Sequence, residues 1–523
     1  MFTIIVVLNF QMKTSSKHKE LNHGGGQNHS NHLNSLKDQL AKYGVDPFDN
    51  CPPRCLSTGV EIDEAVVRDM LDAPAIGNAL FKKFVHKRLE SNKTGYFDPI
   101  KKVKLNNGVE KKKPIPRAVT LLKEDRQAFG LIIAKSVSLQ EAFKYPISTV
   151  PLAVATTEST LRQSDKASLR NFLITESNSV SEEPPKNCSW FIDGLAAVRS
   201  LQPKRTYREW LRNFLQFTKP PKDSEAIQLG LVNDTYKVDS IKGGTRKERG
   251  ESGLKVKIDE FDQHMLQGSK WQEFLNSGQN KEELIQLIVK YVETGEGMSQ
   301  LEHPYIVTAG DATFSVRDHS ICMLYTCNHK EADTRLVLHA LLADSDVVVV
   351  AKDTDVLILL IWAYEQSNVG KKWYMKYDHN KYADISEICK FLGPKICRTL
   401  PAVHAITGCD TTSYLYKVLK KLLQAKRKTD LLTDLGKDDA VSEMILENAK
   451  EFVRTVLYSG KQRESYIEAR IRLYQEMKMK SSMSLPPDPD SVVQVIKRAH
   501  YQAYFWRRCI EINVEMIPLA NYG

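Results

Sequence analysis

The chain has 523 residues, too many for one hydrophobic core, so about two to four domains are expected. Its 42% hydrophobic and 8% aromatic content excludes a wholly disordered chain, and nine cysteines scattered over such a length exclude a dense secreted disulfide scaffold. The thiols read as reduced and the protein as intracellular, while a formal net charge of +10 favours polyanionic partners.

In chain order, Ile4 to Leu8 form a short apolar run with no basic stretch before it and no small-residue cleavage site after it. It reads neither as a signal peptide nor as a bilayer span, and no other segment is apolar for long enough, so no membrane partner is expected. Residues 1–50 are expected to be a disordered tail, polar and carrying Gly24-Gly25-Gly26. Cys51 with Cys55, and Cys322 with Cys327 and His329, hint at zinc, but neither set completes four ligands at a usual spacing.

Residues 51–180 read as a mainly helical region. Apolar spacing over 58–89 predicts two helices interrupted at Pro74 and Gly77, and 121–143 predicts one or two more. Residues 82–117 carry twelve Lys or Arg against Glu90, Asp98 and Glu110, an excess that nearly equals the net charge of the chain. That stretch is either a solvated basic face or a polyanion site. Lys111-Lys112-Lys113-Pro114 resembles a nuclear import signal, which favours a nuclear over a cytoplasmic location. Residues 177–186, rich in Ser, Glu and Pro, read as a linker at a domain boundary.

Beyond it, Cys188-Ser189-Trp190-Phe191-Ile192-Asp193-Gly194 predicts a strand ending in an acid, and a second predicted strand over 227–232 ends near Asp234. Helices are predicted through Tyr207 to Leu215, over 270–276 and over 281–294, with a third strand over 305–309. Strands alternating with helices predict an α/β fold, a twisted and mostly parallel sheet with helices on both faces, over residues 187–430. Residues 431–523 read as a helical region broken at Pro486-Pro487-Asp488-Pro489. Tyr501, Tyr504, Phe505 and Trp506 in it interleave with Arg507 and Arg508; these aromatics either stack on bases or pack on the core.

Three acidic signatures concentrate the chemistry: H-K-E-A-D-T-R at 329–335, D-V-V-V-V-A-K-D-T-D at 346–355, and H-A-I-T-G-C-D-T-T-S at 404–413. Four consecutive valines make a buried parallel strand, so Asp353 and Asp355 fall at its carboxyl end, where open α/β sheets bind ligands. Gathered together, Glu331, Asp333, Asp353, Asp355 and Asp410 require a counter-charge, and a hard divalent cation, Mg²⁺ or Mn²⁺, suits carboxylate oxygens. Asn328-x-x-Glu331 also resembles a capping box, a purely structural use of Glu331. His404 reads as a packed core histidine rather than a general base.

The order Ile-Asp-Gly, an Asp after the second strand with a basic segment behind it, E-A-D, D-x-D and G-C-D resembles the flap-endonuclease branch of the PIN-like nucleases, over roughly residues 188–428. It also resembles a group of animal proteins sharing E-A-D-T-R, D-T-D-V and H-A-x-T-G-C-D-T-T-S. The resemblance implies a PIN-like core with Asp193, Asp234, Glu331, Asp333, Asp353, Asp355 and Asp410 as the acids of a two-metal site that hydrolyses phosphodiester bonds of DNA or RNA. All but Asp234 would be metal ligands. It also implies that Lys242, Arg246 and Arg249, behind the second acid, contact the scissile phosphate. Two metals can activate water and stabilise both oxygens of an in-line displacement. Where flap-type enzymes carry a glycine-punctuated helical hairpin after the last acid, 414–421 has no glycine, although it stays basic.

A dehalogenase-type phosphatase also uses D-x-D after a strand, but needs Thr or Val where this chain has Leu357, and a nucleotide-sugar transferase does not require the other acids in this order. The alternative of another class is a nuclease-derived scaffold that binds nucleic acid or protein without turnover.

Overall fold

In the computed structural model of the chain, the described residues are 29–38, 64–91, 138–235, 256–415, 428–476, 482–518 and 522, apart from positions 149, 158, 164, 259, 319 and 369, together with 95, 98, 127 and 130. Lys242, Arg246 and Arg249 lie outside the described residues, as do Cys51, Cys55, Lys111 to Pro114, most of 121–143 and the basic run 416–427. The chain divides into two compact units, Met1–Pro116 and Arg117–Gly523.

In the first unit, α1 (Glu64–Val85) is one continuous helix, not two: it runs through Pro74 and ends in a π turn, His86–Glu90. Proline removes one backbone hydrogen bond from a helix interior. No residue of α1 is buried, so water can satisfy the freed carbonyl. Arg88 donates to the backbone oxygens of Gly95 and Asp98, both at 2.7 Å.

The second unit holds an eight-stranded sheet: β1 (Val180–Ser181), β2 (Cys188–Asp193), β3 (Gln228–Val232), β4 (Tyr305–Ala309), β5 (Ala312–Ser315), β6 (Asp346–Val350), β7 (Trp373–Asp378) and β8 (Lys381–Asp384). Their order is β1-β8-β7-β6-β2-β3-β4-β5. The central five, β7-β6-β2-β3-β4, are parallel, and antiparallel strands close both edges. The three strands expected from sequence at 188–193, 227–232 and 305–309, and the valine strand, are all in the parallel block.

Helices cover both faces because the strands are apolar on both. Phe191, Val232, Ile306, Val347 and Val349 face one core, shared with α2 (Lys166–Glu176), α7 (Ala332–Leu342), α8 (Thr354–Ser367), α9 (Ile385–Leu392), α10 (Pro394–Thr407), α11 (Glu443–Phe452) and α13 (Pro489–Arg507). Trp190, Ile192, Leu229, Leu231, Val307 and Val348 face the other, shared with α3 (Gly194–Ser200), α4 (Tyr207–Thr218), α5 (Ser269–Asn276) and α6 (Gly278–Val292). Continuous apolar runs of this kind are what parallel strands buried on both faces require. Helix α8 is buried from Thr354 to Ala363, apolar around its whole circumference, and forms the centre of the first core.

One sequence expectation changes, and one open alternative is decided. Residues 177–186 are not a free linker: Val180 and Ser181 pair with Ala383 and Tyr382 of β8, and α2 before them packs on the main core. The C-terminal aromatics pack rather than project, with Tyr501, Tyr504 and Trp506 all buried, and Arg508 lies over the Tyr504 ring at 3.5 Å. Helix α12 (Tyr466–Glu476) is tied back through Arg470, which donates to the backbone oxygens of Pro486 and Phe143.

Candidate functional site

Strand β2 comes first in the parallel block, β3 and β4 are added on one side, and β6 and β7 on the other. The direction of winding therefore reverses between β2 and β6, and open α/β sheets bind ligands at such a reversal, past the carboxyl ends of the strands. A cleft of about 620 Å³ lies there, lined by Asp193, Asp234, Asp333, Asp353 and Asp410 and by Lys166, Arg170, Arg199 and Lys352.

Each acid arrives by a local rule of chain geometry. Asp193 is the last residue of β2 and caps α3, its Oδ1 accepting from Ala196 N at 2.9 Å. The turn is tight: a Cβ at Gly194 would stand 1.9 Å from Asn233 Oδ1, and Asn233 is itself fixed by two hydrogen bonds with Thr308. Asp234 follows β3 and accepts from Ala332 N at 2.8 Å, so the first N–H of α7 is capped from another segment. Asp333 sits in the first turn of α7, where the helix dipole favours negative charge. Asp353 caps α8 through Asp355 N at 3.0 Å, and Asp355 is 2% exposed behind it.

Oxygens of Asp333, Asp353 and Asp355 lie within 4.8 Å of one another. The ammonium of Lys166, at the start of α2, reaches into the same group. Its Nζ lies 2.7 Å from Asp410 Oδ1, 2.8 Å from Asp355 Oδ2 and 3.6 Å from Asp353 Oδ1. On the far side of Asp355, His404 Nε2 lies 2.7 Å from Oδ1; a carboxylate only accepts, so the imidazole N–H donates. The His404 ring is fully buried and stacks on Trp506 at 5.4 Å, with the planes 10° apart.

These contacts set the charges. Burial opposes the ionisation of Asp355, but the His404 hydrogen bond and the nearby Lys166 ammonium overcome it and hold its pKa below the ordinary carboxylate range. Asp353 is pushed up to about 6 by burial and by the charges of Asp355 and Asp333. Burial also opposes the charge on Lys166, yet Asp355, Asp353 and Asp410 outweigh it and hold its pKa above the usual lysine range. Four carboxylates against one ammonium leave the group negative.

The flanking motif residues hold these acids in place. In G-C-D-T-T-S, Gly408 has φ +106° and a Cβ there would meet the Tyr414 backbone at 2.7 Å. Thr412 Oγ1 donates to Ala405 O and accepts from Cys409 N, Thr411 donates to Gln502 Oε1, and Ser413 donates to Val154 O. The hydroxyls thus fix the loop that presents Asp410. In E-A-D-T-R, buried Arg335 donates to the backbone oxygens of His329, Asn233 and Cys327, joining the end of β3 to the loop before α7.

Of the seven acids expected from sequence, Asp193, Asp234, Asp333, Asp353 and Asp410 line one cleft and Asp355 lies at its base. Glu331 does not join them. It is the N-cap position of α7 without a side-chain cap bond, and it lines a separate small pocket with His329, Gln502, Phe505 and Trp506. The capping box is not formed either, because α7 starts at Ala332 and Asn328 exchanges hydrogen bonds with Val514. His404 is in the core, as expected, but is also bonded to the site. Lys166, Arg170 and Arg199 went unnoticed in the sequence: Lys166 is 189 positions from Asp355, and no local pattern links them.

Compared with protein-family models, curated proteins and solved structures, the chain has no significant match in any of the three. The donor set is all carboxylate oxygen with no thiol, it is negative in excess of its own lysine, and the imidazole supports Asp355 rather than joining the set; these properties fit a hard divalent cation.

Proposed function

We propose that this protein is a metal-dependent nuclease of the PIN-like kind, hydrolysing phosphodiester bonds of DNA or RNA in the cleft at the carboxyl ends of β2, β3 and β6. The observation that carries this reading is the convergence of Asp333, Asp353 and Asp355 within 4.8 Å at the winding reversal of a parallel sheet, beside cationic side chains on the same cleft wall.

Asp333, Asp353 and Asp355 would hold Mg²⁺ or Mn²⁺. The bound ion would lower the pKa of a water and stabilise charge on the phosphoryl oxygens. The chain contributes the rest. Asp355 is kept ionised by His404 and Lys166, and Asp353, at about 6, is ionised at neutral pH. Arg170 and Arg199 line the cleft, where guanidinium groups suit non-bridging phosphate oxygens. Lys242, Arg246 and Arg249 remain candidates for the same task from the segment after Asp234. In this reading the protein works on nucleic acid inside the cell, with the nucleus favoured by the basic run at 111–114.

One observation favours the alternative, a nuclease-derived binding scaffold: Lys166 already supplies counter-charge, so the carboxylates do not need an ion to stay together. Cleavage of labelled single-stranded, duplex and 5′-flap DNA and RNA, with Mn²⁺ or EDTA, separates the two. Metal-dependent cutting that Asp353→Ala/Asp355→Ala abolishes establishes the nuclease. Binding without cutting in both proteins establishes the scaffold.

A further inference from the structure

We infer that Lys166 permanently occupies one of two cation positions in the carboxylate cluster, so that the site takes a single divalent ion. The inference rests on the metal-dependent reading above and specifies its stoichiometry.

The carboxylates form two overlapping sets. Asp333, Asp353 and Asp355 make one set, with oxygens within 4.8 Å of one another. Asp353, Asp355 and Asp410 make the other, around the Lys166 ammonium at 3.6, 2.8 and 2.7 Å. Asp353 and Asp355 belong to both. Carboxylates shared between two cations are a way to hold a metal pair, and in this reading an ammonium stands in the place of one of them. Lysine suits the place because its N–H groups reach Asp355 and Asp410 at hydrogen-bond distance while its charge also faces Asp353.

The lysine is built in rather than resting there. Its backbone oxygen accepts from Thr354 Oγ1 at 2.9 Å, which ties the start of α2 to the start of α8. One turn on, Arg170 donates to Lys352 O at 2.6 Å, within the loop that carries Asp353. Leu169 and Leu173 anchor the same helix in the core. The side chain is 15% exposed. With α2 anchored beneath it, the ammonium could leave only by giving up its contacts to Asp353, Asp355 and Asp410, so a divalent ion entering the cluster meets a charge already held there and takes the remaining position.

The test counts ions. Mn²⁺ is titrated calorimetrically into the full-length wild type, Lys166→Met and Lys166→Arg, and bound Mn²⁺ is checked by the loss of free-ion EPR signal. One ion per chain in wild type and Lys166→Arg, and two in Lys166→Met, is the expected result. Two ions in wild type, or one in Lys166→Met, overturns the inference while leaving the metal-dependent reading intact. No ion in any of the three overturns both. Lys166→Met leaves buried carboxylates without their cation, so its thermal unfolding is followed with and without Mn²⁺. An apo form that melts lower than wild type and recovers in Mn²⁺ supports the inference, and a melting curve unmoved by the ion overturns it. If that variant does not fold, the counts for wild type and Lys166→Arg decide, one ion in each supporting the inference and two in either overturning it.

Discussion

His404 Nε2 and Asp355 Oδ1 lie 2.7 Å apart with both side chains sealed from solvent, and the imidazole is pressed flat against Trp506 of α13. The pair joins the C-terminal helix to the deepest acid of the site. Removing one partner of a buried pair leaves the other uncompensated. His404→Ala is therefore expected to destabilise the fold by roughly 2–4 kcal/mol, from the lost hydrogen bond and the cavity beside Trp506. Urea unfolding monitored by tryptophan fluorescence checks this, and His404→Gln, which keeps an N–H donor, should lose less.

Glu331 and Asp333 are two residues apart but belong to different pockets. Glu331→Gln should leave Mn²⁺ affinity within about twofold of wild type, whereas Asp333→Asn should weaken it by at least tenfold, a change of about 1.4 kcal/mol. Calorimetric titration of both variants decides. Equal losses would place Glu331 back among the ligands.

His339 is fully buried against Phe191 and Tyr325, and burial followed by the charge of Arg335 pushes its pKa down to about 3. Above the ordinary value of 6.5 the ring is neutral folded or unfolded, and its stability contribution is complete. Between 6.5 and about 3 the unfolded chain takes up the proton and the folded one does not, so stability falls as pH falls, by roughly 1.4 kcal/mol per unit. Asp353 acts in the opposite sense below about 6, because its folded pKa is raised. Wild type is therefore compared with His339→Phe, which keeps the Asp353 contribution and removes the histidine. The variant should lose less stability between pH 6.5 and 4.5 in urea titrations; parallel curves would refute the assignment.

Gly194→Ala adds one methyl group to the turn after β2, directly at Asn233 Oδ1. Asn233 cannot yield without breaking its bonds to Thr308, and both Asp193 and Asp234 are neighbours of the clash. The expected cost is about 1–3 kcal/mol of stability. Mn²⁺ affinity should fall as well, although no ligand has been changed. Unfolding curves and a Mn²⁺ titration measure the two effects.

The parallel block was legible because its strands announce themselves: Asp346 and four valines have no better use than a strand buried on both faces, and Ile192-Asp193-Gly194 marks the point where one stops. The helix-start position of Asp333 was legible for the same reason. Strand β7 of that block and the antiparallel strands β1, β5 and β8 were not, since Val180-Ser181 is two residues long and Trp373 to Asp378 alternates only loosely. Glu331 misled because adjacency in a motif does not decide which side of a helix start a side chain takes. The residue that compensates the acids was beyond any local pattern, because the chain brings Lys166 to Asp355 only by folding α2 across the end of β6. Pro74 shows the limit in the other direction, a helix breaker tolerated in a helix that buries no residue.

The docking of α2 and β1 on the sheet also decides where the chain can be cut. A fragment beginning at Cys188, at the apparent start of the α/β region, would keep every aspartate of the cleft and the whole parallel block. It would lack Lys166, the backbone oxygen that accepts from Thr354, and the strand that covers the open edge of β8. Such a fragment would expose an unpaired strand edge and leave Asp353, Asp355 and Asp410 without the ammonium that lies among them. The shortest stretch that carries the cleft entire therefore begins upstream of Lys166, ahead of all three acidic signatures and of Asp193.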